Sequence, residues 1–274
     1  MTTPSPIGVF DSGVGGLSVL RALRARLPHE DFIYLGDTAR LPYGTKSADS
    51  VVRYSLQCAA ALVARRIRCL VVACNTASAS SLPALRERHP DLPVVGVIEP
   101  GAEAAVAASV SQRIAVIGTE GTIQGGAYRS AIERLNPGAE VHSVACSLFV
   151  ALAEEGWTSG PIPEAIARRY LGGLFAHERD APDTLVLGCT HFPALIEPIR
   201  AVLPAQVRIV DSAGTTAAAV ERELTRSRQG GAPGRVTLLA TDGAARFARV
   251  GSRFLGEALA AEAVEIVDLS HASA

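Results

Sequence analysis

Short apolar runs, each closing on a polar residue and each followed by an amphipathic segment, recur along this 274-residue chain. Such alternation builds parallel sheets, because a strand that re-enters its sheet in the same direction needs a crossover, usually a helix. Two of the runs are near copies. LVVACNT at 70–76 and LVLGCTH at 185–191 both end in a cysteine followed by polar residues, and each leads into a further helical pattern containing SLPALR from Ser81 or PALIEPIR from Pro193. The chain thus offers a thiol at two strand ends more than a hundred residues apart.

Further strand-like runs are IGVF at 7–10, FIYLGD at 32–37, VVGVI at 94–98, IAVIG at 114–118, VRIVDS at 207–212, VTLLAT at 236–241 and VEIVDL at 264–269. Helical patterns cover Leu17–Leu27, Ser47–Arg66, Ile162–Phe175 and Ala217–Arg226, and helical stretches surround VHSVA at 141–145. SRQGGAPG at 227–234 has the composition of a surface linker. A second echo, FDSG at 10–13 against VDSAG at 210–214, joins the cysteine runs in suggesting two related lobes. A ligand cleft between the two sheet edges is the expected site.

The chain is 48% apolar, but charges interrupt every apolar run well short of membrane-spanning length. MTTPSPIGVFD at the start lacks the basic flank and hydrophobic stretch of a signal peptide, so cytoplasmic residence is expected. A net charge of −1, with arginines spread over many helices, does not indicate nucleic-acid binding. Five cysteines at uneven spacing, with no CxxC pair, point away from a disulfide framework or a metal site. Cys58 and Cys69 are read as core residues, and Cys146 as structural. DSGVGG at 11–16 has neither the dinucleotide fingerprint nor the P-loop spacing. Lys46 is the only lysine, leaving one anchor for a pyridoxal phosphate Schiff base in what reads as an exposed loop. Cofactor-independent chemistry is therefore expected.

A free thiol has a pKa of about 8.5, which falls at a helix N-terminus or near positive charge. A strand ending in cysteine and followed immediately by a helix sets the thiol at such a terminus. Asn75, Thr76, Thr190 and His191 add donors for an anionic substrate. With Cys74 and Cys189 on opposite sides of a substrate carbon, one thiolate would remove a proton and the other thiol would return one, inverting the centre. Asp11 is a candidate partner for Cys74 or, equally, a helix cap before the glycine-rich turn. His191 could orient or deprotonate Cys189, although a lone histidine is more often structural. By spacing alone Glu154 is no better a candidate than Glu155.

The motifs IGVFDSGVGGL at 7–17, GDTARLPYG at 36–44, ACNTA at 73–77, GVIEPG at 96–101, IGT at 117–119, GCTHFP at 188–193 and VDSA at 210–213, in this order, resemble those of the glutamate racemases within the aspartate/glutamate racemase family. The resemblance implies an α/β fold of two similar three-layer lobes, with mainly parallel sheets and a substrate cleft between them. Residues 1–97 and 210–274 would form one lobe and 98–209 the other. It also implies cofactor-free interconversion of L- and D-glutamate for peptidoglycan, in a homodimer. Cys74 matches the thiol that deprotonates D-glutamate and Cys189 the one that deprotonates L-glutamate. Asp11 matches the carboxylate assisting Cys74, while His191 and Glu154 match groups beside Cys189. Ser12, Pro42, Tyr43, Gly44, Asn75, Thr76, Thr119, Thr122 and Thr190 match substrate-pocket positions.

Three departures stand out: Ser147 and Ala151 replace frequent prolines, and Asp242 replaces a frequent serine. Loss of the prolines loosens the backbone that carries Glu154, and Asp242 is expected outside direct reach of an anionic substrate. Competing readings are a racemase of aspartate or another amino acid, a thiol hydrolase, which the paired cysteines argue against, and a noncatalytic amino-acid-binding module.

Overall fold

The computed structural model describes residues 5–177, 180–224 and 232–269. Most of the linker-like segment at 227–234 therefore lies outside the described residues. The first half runs β1 (Ile7–Asp11), α1 (Leu17–Arg26), β2 (Phe32–Gly36), α2 (Ala48–Val63), β3 (Cys69–Val72), α3 (Asn75–Arg88) and β4 (Val94–Gly96). It continues with α4 (Ile98–Ala108), β5 (Arg113–Gly118), α5 (Glu120–Gln124), α6 (Ala127–Leu135), β6 (Glu140–Ala145), α7 (Leu148–Glu155), α8 (Pro161–Leu171), β7 (Thr184–Gly188), α9 (Ile196–Val202) and β8 (Arg208–Asp211). The chain closes with α10 (Ser212–Glu223), β9 (Val236–Ala240), α11 (Ala244–Leu255) and β10 (Val264–Ile266).

The strands form two sheets, ordered β10-β9-β2-β1-β3-β4 and β6-β5-β7-β8, and every pairing among the described residues is parallel. The central strands β1, β2, β3 and β7 are buried throughout, as expected where helices cover both faces of a parallel sheet. The inner order β2-β1-β3-β4 of the first sheet repeats as β6-β5-β7-β8 in the second. The two cysteine runs are thus topological counterparts, since Cys74 follows β3 and Cys189 follows β7. The second echo is not. Asp11 closes β1, whereas Asp211 closes β8, the counterpart of β4; Asp211 caps α10 through the amides of Ala213 and Gly214.

In each sheet the chain reverses direction of winding between the first strand and the cysteine strand, between β1 and β3 and between β5 and β7. Open parallel sheets bind ligands outside the carboxyl ends of strands at such switch points. The return of the chain also ties the halves together: α10 packs on both α1 and α4, and α11 packs on α1. Among the described residues no helix is long and apolar enough to cross a membrane.

Candidate active site

Cys74 occupies the N-cap of α3, with extended backbone geometry and 5% exposure. The helix terminus acts on it as anticipated, through the backbone amide of Ala77, but it does not prevail. Burial and the negative charge of Asp11 outweigh that amide and the Ser12 hydroxyl, and Cys189 adds a further raising influence, so the Cys74 thiol is pushed up to about 12. Its thiol donates to Ser12 Oγ at 3.7 Å. The expected depression of a thiol pKa at a helix start is overturned here because desolvation disfavours the anion more than one helix end favours it.

Asp11 is 1% exposed and is not the cap of α1, which begins after Gly16. Its Oδ2 accepts from the amide of Gly13 at 3.0 Å, and its buried Oδ1 has no partner. Burial raises its pKa against the opposing charge of His191 and the amides of Gly16 and Gly13, and Glu154 adds to the rise. An unpartnered carboxylate oxygen beside a thiol is equipped to take up a proton or to bind an ammonium group.

The second cysteine is positioned differently. Cys189, 6% exposed, is followed by Thr190 and His191 and then by a 3-10 turn at Phe192–Leu195, with α9 starting only at Ile196. No α-helix starts at the thiol, contrary to the expectation from sequence. Pro193 sits in the first turn of the 3-10 segment, where it lacks an amide to donate. The place of a helix end is taken by a chain of side chains: Cys189 Sγ lies 3.8 Å from His191 Nδ1, and His191 Nε2 lies 3.2 Å from Glu154 Oε1. Burial disfavours the charged ring. The hydrogen bonds to Cys189 and Glu154, and the charges of Cys189 and Asp11, outweigh it and push the His191 pKa up to about 10. The same His191 bond, opposed by burial and aided by Arg246, holds the Glu154 carboxyl below its usual range. Glu154 on α7 is thereby separated from Glu155, which is exposed.

Around the thiols the remaining residues fall into groups. The hydroxyls of Thr76, Thr119 and Thr122 form a buried triangle with sides of 2.9, 3.0 and 3.2 Å, joining α3 to the start of α5. Thr119 also caps α5 by accepting from the amide of Thr122. Asn75 is buried with its Nδ2 unpartnered. Pro42, Gly44, Thr119 and Glu154 share the wall of a cavity of about 270 Å³, to which Ser147 and Ala151 also contribute. Tyr43 is placed otherwise: its hydroxyl donates to Asp37 and lies 3.8 Å from Cys58 Sγ, so its side chain supports the loop from beneath.

Two glycines let the lobes meet. A Cβ on Gly15 would stand 2.4 Å from Thr190 Oγ1 and 2.6 Å from the His191 ring; one on Gly44 would stand 2.6 Å from Thr119 Cβ. Asp242 is exposed, with its amide donating to Thr38 Oγ1 at 2.9 Å, and it lines a cavity of about 150 Å³ together with Glu154 and Arg246. Cys58, Cys69 and Cys146 are fully buried, and burial raises the pKa of each. Cys69 opens β3 at the far end of the strand from Cys74.

Sequence reasoning did not single out Asp37, Tyr128 or Arg246. Asp37 lies in the GDTARLPYG motif, so its position was visible, but nothing local marked it as the anchor of Tyr43. Tyr128 and Arg246 act across gaps of 53 and 92 residues, which no local pattern carries.

Two α/β lobes that each set a buried cysteine at the end of an equivalent strand have the build of a two-thiol racemase. The sequence profile of the Asp/Glu/Hydantoin racemase family matches residues 15–221. The chain belongs to this family. It is 54% identical over 254 residues to the glutamate racemase of Geobacter metallireducens, covering 91% of this chain and 92% of that one. Among solved structures it is similar to the glutamate racemase of Francisella tularensis in complex with D-glutamate (TM-score 0.89, 35% identity, 98% of this chain and 99% of that one). It is also similar to glutamate racemase isoform RacE1 of Bacillus anthracis (TM-score 0.91, 36% identity, the same coverage).

Proposed function

We propose that the chain is a glutamate racemase interconverting L- and D-glutamate by transfer of a proton at Cα, with Cys74 and Cys189 as the two proton-transfer groups. The observation that carries the reading is that each buried cysteine has its own relay, Asp11 and Ser12 on one side and His191 with Glu154 on the other. In the D-to-L direction Cys74 gives its proton to Asp11, whose raised pKa suits it to receive one. The resulting thiolate takes the Cα proton, and Cys189 delivers its own from the opposite face. His191, held charged by Glu154, restores the proton to Cys189. The reverse direction exchanges the roles. Water exclusion by the closed lobes strengthens the electrostatic stabilisation of the carbanion-like transition state.

Donors at Asn75, Thr76, Thr119 and Thr190 suit the substrate carboxylates, while unpartnered Asp11 Oδ1 is left to receive the Cys74 proton. Ser12, Pro42, Gly44 and Thr122 complete the pocket, with Tyr43 supporting it. The lobes of this reading are 1–97 with 210–274, and 98–209, the second boundary falling inside β8. The enzyme would act as a homodimer in the cytoplasm and supply D-glutamate for peptidoglycan.

The test is incubation with L- or D-glutamate in D2O, without added cofactor, following deuterium at Cα and chirality together. Label entry with inversion is the expected result, abolished in Cys74→Ser and Cys189→Ser, with aspartate turned over poorly. Exchange without inversion would mean that only one face works. Neither exchange nor inversion in folded, reduced protein would end the reading.

A further inference from the structure

Tyr128, on α6 and 2% exposed, lies against both cysteine-bearing strand ends. Its hydroxyl donates to Asn75 Oδ1 at 2.8 Å, immediately after Cys74. Its ring edge lies where a Cβ on Gly188, immediately before Cys189, would be 3.1 Å from Cε2. On its other edge a Cβ on Gly101 would be 3.1 Å from Cε1 and 3.2 Å from the hydroxyl. The ring is therefore wedged between α4 and the end of β7: a Cβ on Gly188 would also stand 2.8 Å from the Ile117 carbonyl oxygen, and one on Gly101 would require the ring to give way.

Asn75 has two polar ends, and only one is used. Oδ1 is taken by Tyr128, while the buried Nδ2 has no partner. Among the described residues, Asn75 is the hydrogen-bond partner of the Tyr128 hydroxyl. Rotating the amide by a half turn would put a donor against the phenol, leaving the phenolic proton unbonded in the interior and presenting a carbonyl oxygen in place of Nδ2. A buried donor left unmade is costly. The phenol keeps its proton, since burial, with Cys189 and Asp211 adding to it, raises its pKa. The amide accordingly has one satisfied orientation, with its two N–H bonds free in the first turn of α3, where the helix end also favours an anion.

We infer that Tyr128 is a positioning residue that fixes the polarity of the Asn75 amide, so that Nδ2 donates to a carboxylate of the substrate held between Cys74 and Cys189. The inference rests on the proposed racemase reading and adds a residue that assigns the direction of one binding contact. Tyr128 touches no reacting atom. It sets which face of Asn75 the substrate meets and holds that face at a fixed offset from the strand end carrying the second thiol.

The sequence makes a direct test practical, because Asn75 and Asn136 are its only asparagines. Protein labelled with 15N at asparagine side chains gives two NH2 pairs, with Asn136, whose Oδ1 accepts from the Gly138 amide, as the internal control. On addition of equilibrated D,L-glutamate the Asn75 pair should shift and exchange more slowly with solvent, while the Asn136 pair stays in place. Tyr128→Phe, which keeps the ring, should remove that response and raise KM about tenfold in both directions, with kcat changed less than threefold. In an Asn75→Ala background the same substitution should change KM less than twofold. A silent Asn75 pair in wild-type protein that racemises glutamate would overturn the inference and leave the racemase reading intact. So would an equal effect of Tyr128→Phe in both backgrounds, which would mark the tyrosine as packing alone. Because the first measurement uses wild-type protein, it can overturn the inference even if Tyr128→Phe folds poorly.

Discussion

Arg246 of α11 donates from its guanidinium to Glu154 Oε2 at 2.8 Å, joining the last long helix of the chain to the relay behind Cys189. Arg253, two turns further along the same helix, donates to the carbonyl of Glu154, also at 2.8 Å. Phe254 of that helix meets the His191 ring edge to face at 5.0 Å. One helix thus grips the carboxylate, the backbone and the imidazole of a single relay whose cysteine lies in the other sheet.

The Arg246 side chain is half exposed, so its ion pair contributes modestly, about 0.5–1 kcal/mol after solvent screening. Arg246→Gln is expected to lower kcat/KM by a factor of roughly 2–5 in both directions, since Cys189 and its relay take part in each. Raising the salt concentration should shrink the difference between variant and wild type. Initial rates in both directions at two ionic strengths provide the check, and a loss that does not shrink with salt would contradict an electrostatic role for Arg246.

The raised pKa of His191 makes a statement about stability. Its folded value, about 10, lies above the unfolded value near 6.5. The stabilisation from its charge is therefore fully present below about pH 6.5 and is lost as pH rises through about 10. The margin in Tm between wild type and His191→Gln should be widest near pH 6 and narrow steadily toward pH 10. A margin that stays level over that window would show that the ring is not held charged by Cys189 and Glu154.

The repeated strand-cysteine pattern was legible because both copies are local: seven consecutive residues carry each strand, its thiol and its first donors. Topology then shows why they match, since β3 and β7 hold equivalent places in the two sheets. The echo between Asp11 and Asp211 was equally visible and misled, because two strands of opposite placement can end in the same short word. The thiol environment was beyond reach in a different way. That Cys74 caps a helix followed from pattern, but the size of its desolvation depends on the packing of distant segments, and so did the outcome for its pKa. Glu154 and Glu155 are indistinguishable as letters; only the approach of His191 from β7 and Arg246 from α11 separates them.

Gly15 is the tightest point between the glycine-rich turn and the second thiol. Gly15→Ala forces Cβ to within 2.4 Å of Thr190 Oγ1 unless the backbones part. Such overpacking costs about 1–3 kcal/mol, which for a chain of this size lowers Tm by roughly 2–10 °C. The displaced atoms include the His191 ring, 3.8 Å from Cys189 Sγ, so under the proposed mechanism activity should fall at least about tenfold. Gly173→Ala, where an added Cβ meets nothing within 4 Å, is the matched control and should leave both quantities near wild type. Similar losses in the two variants would rule out close approach as the cause.

Asp37 follows β2 and is completely buried beneath the Pro42–Gly44 loop. It accepts from the Tyr43 hydroxyl, from Arg40 Nε at 2.7 Å and from Thr241 Oγ1 at 3.0 Å, so one carboxylate ties the loop to β9 and to its own strand. Arg40 is stacked over the Tyr54 ring, 4.3 Å from its centroid, which limits how far the guanidinium can follow a retreating partner. Asp37→Asn keeps the volume but removes the charge and turns one acceptor into a donor. The loss of charge-assisted bonds should cost about 2–4 kcal/mol of stability. The loop carrying Gly44 presses against Thr119 on the other lobe, so its loosening should raise KM for glutamate more than it lowers kcat. Tyr43→Phe removes one of the same bonds from the other side, and the double variant should lose less than the sum of the two singles. Full additivity in Tm and in KM would show that Asp37 and Tyr43 do not act as one unit.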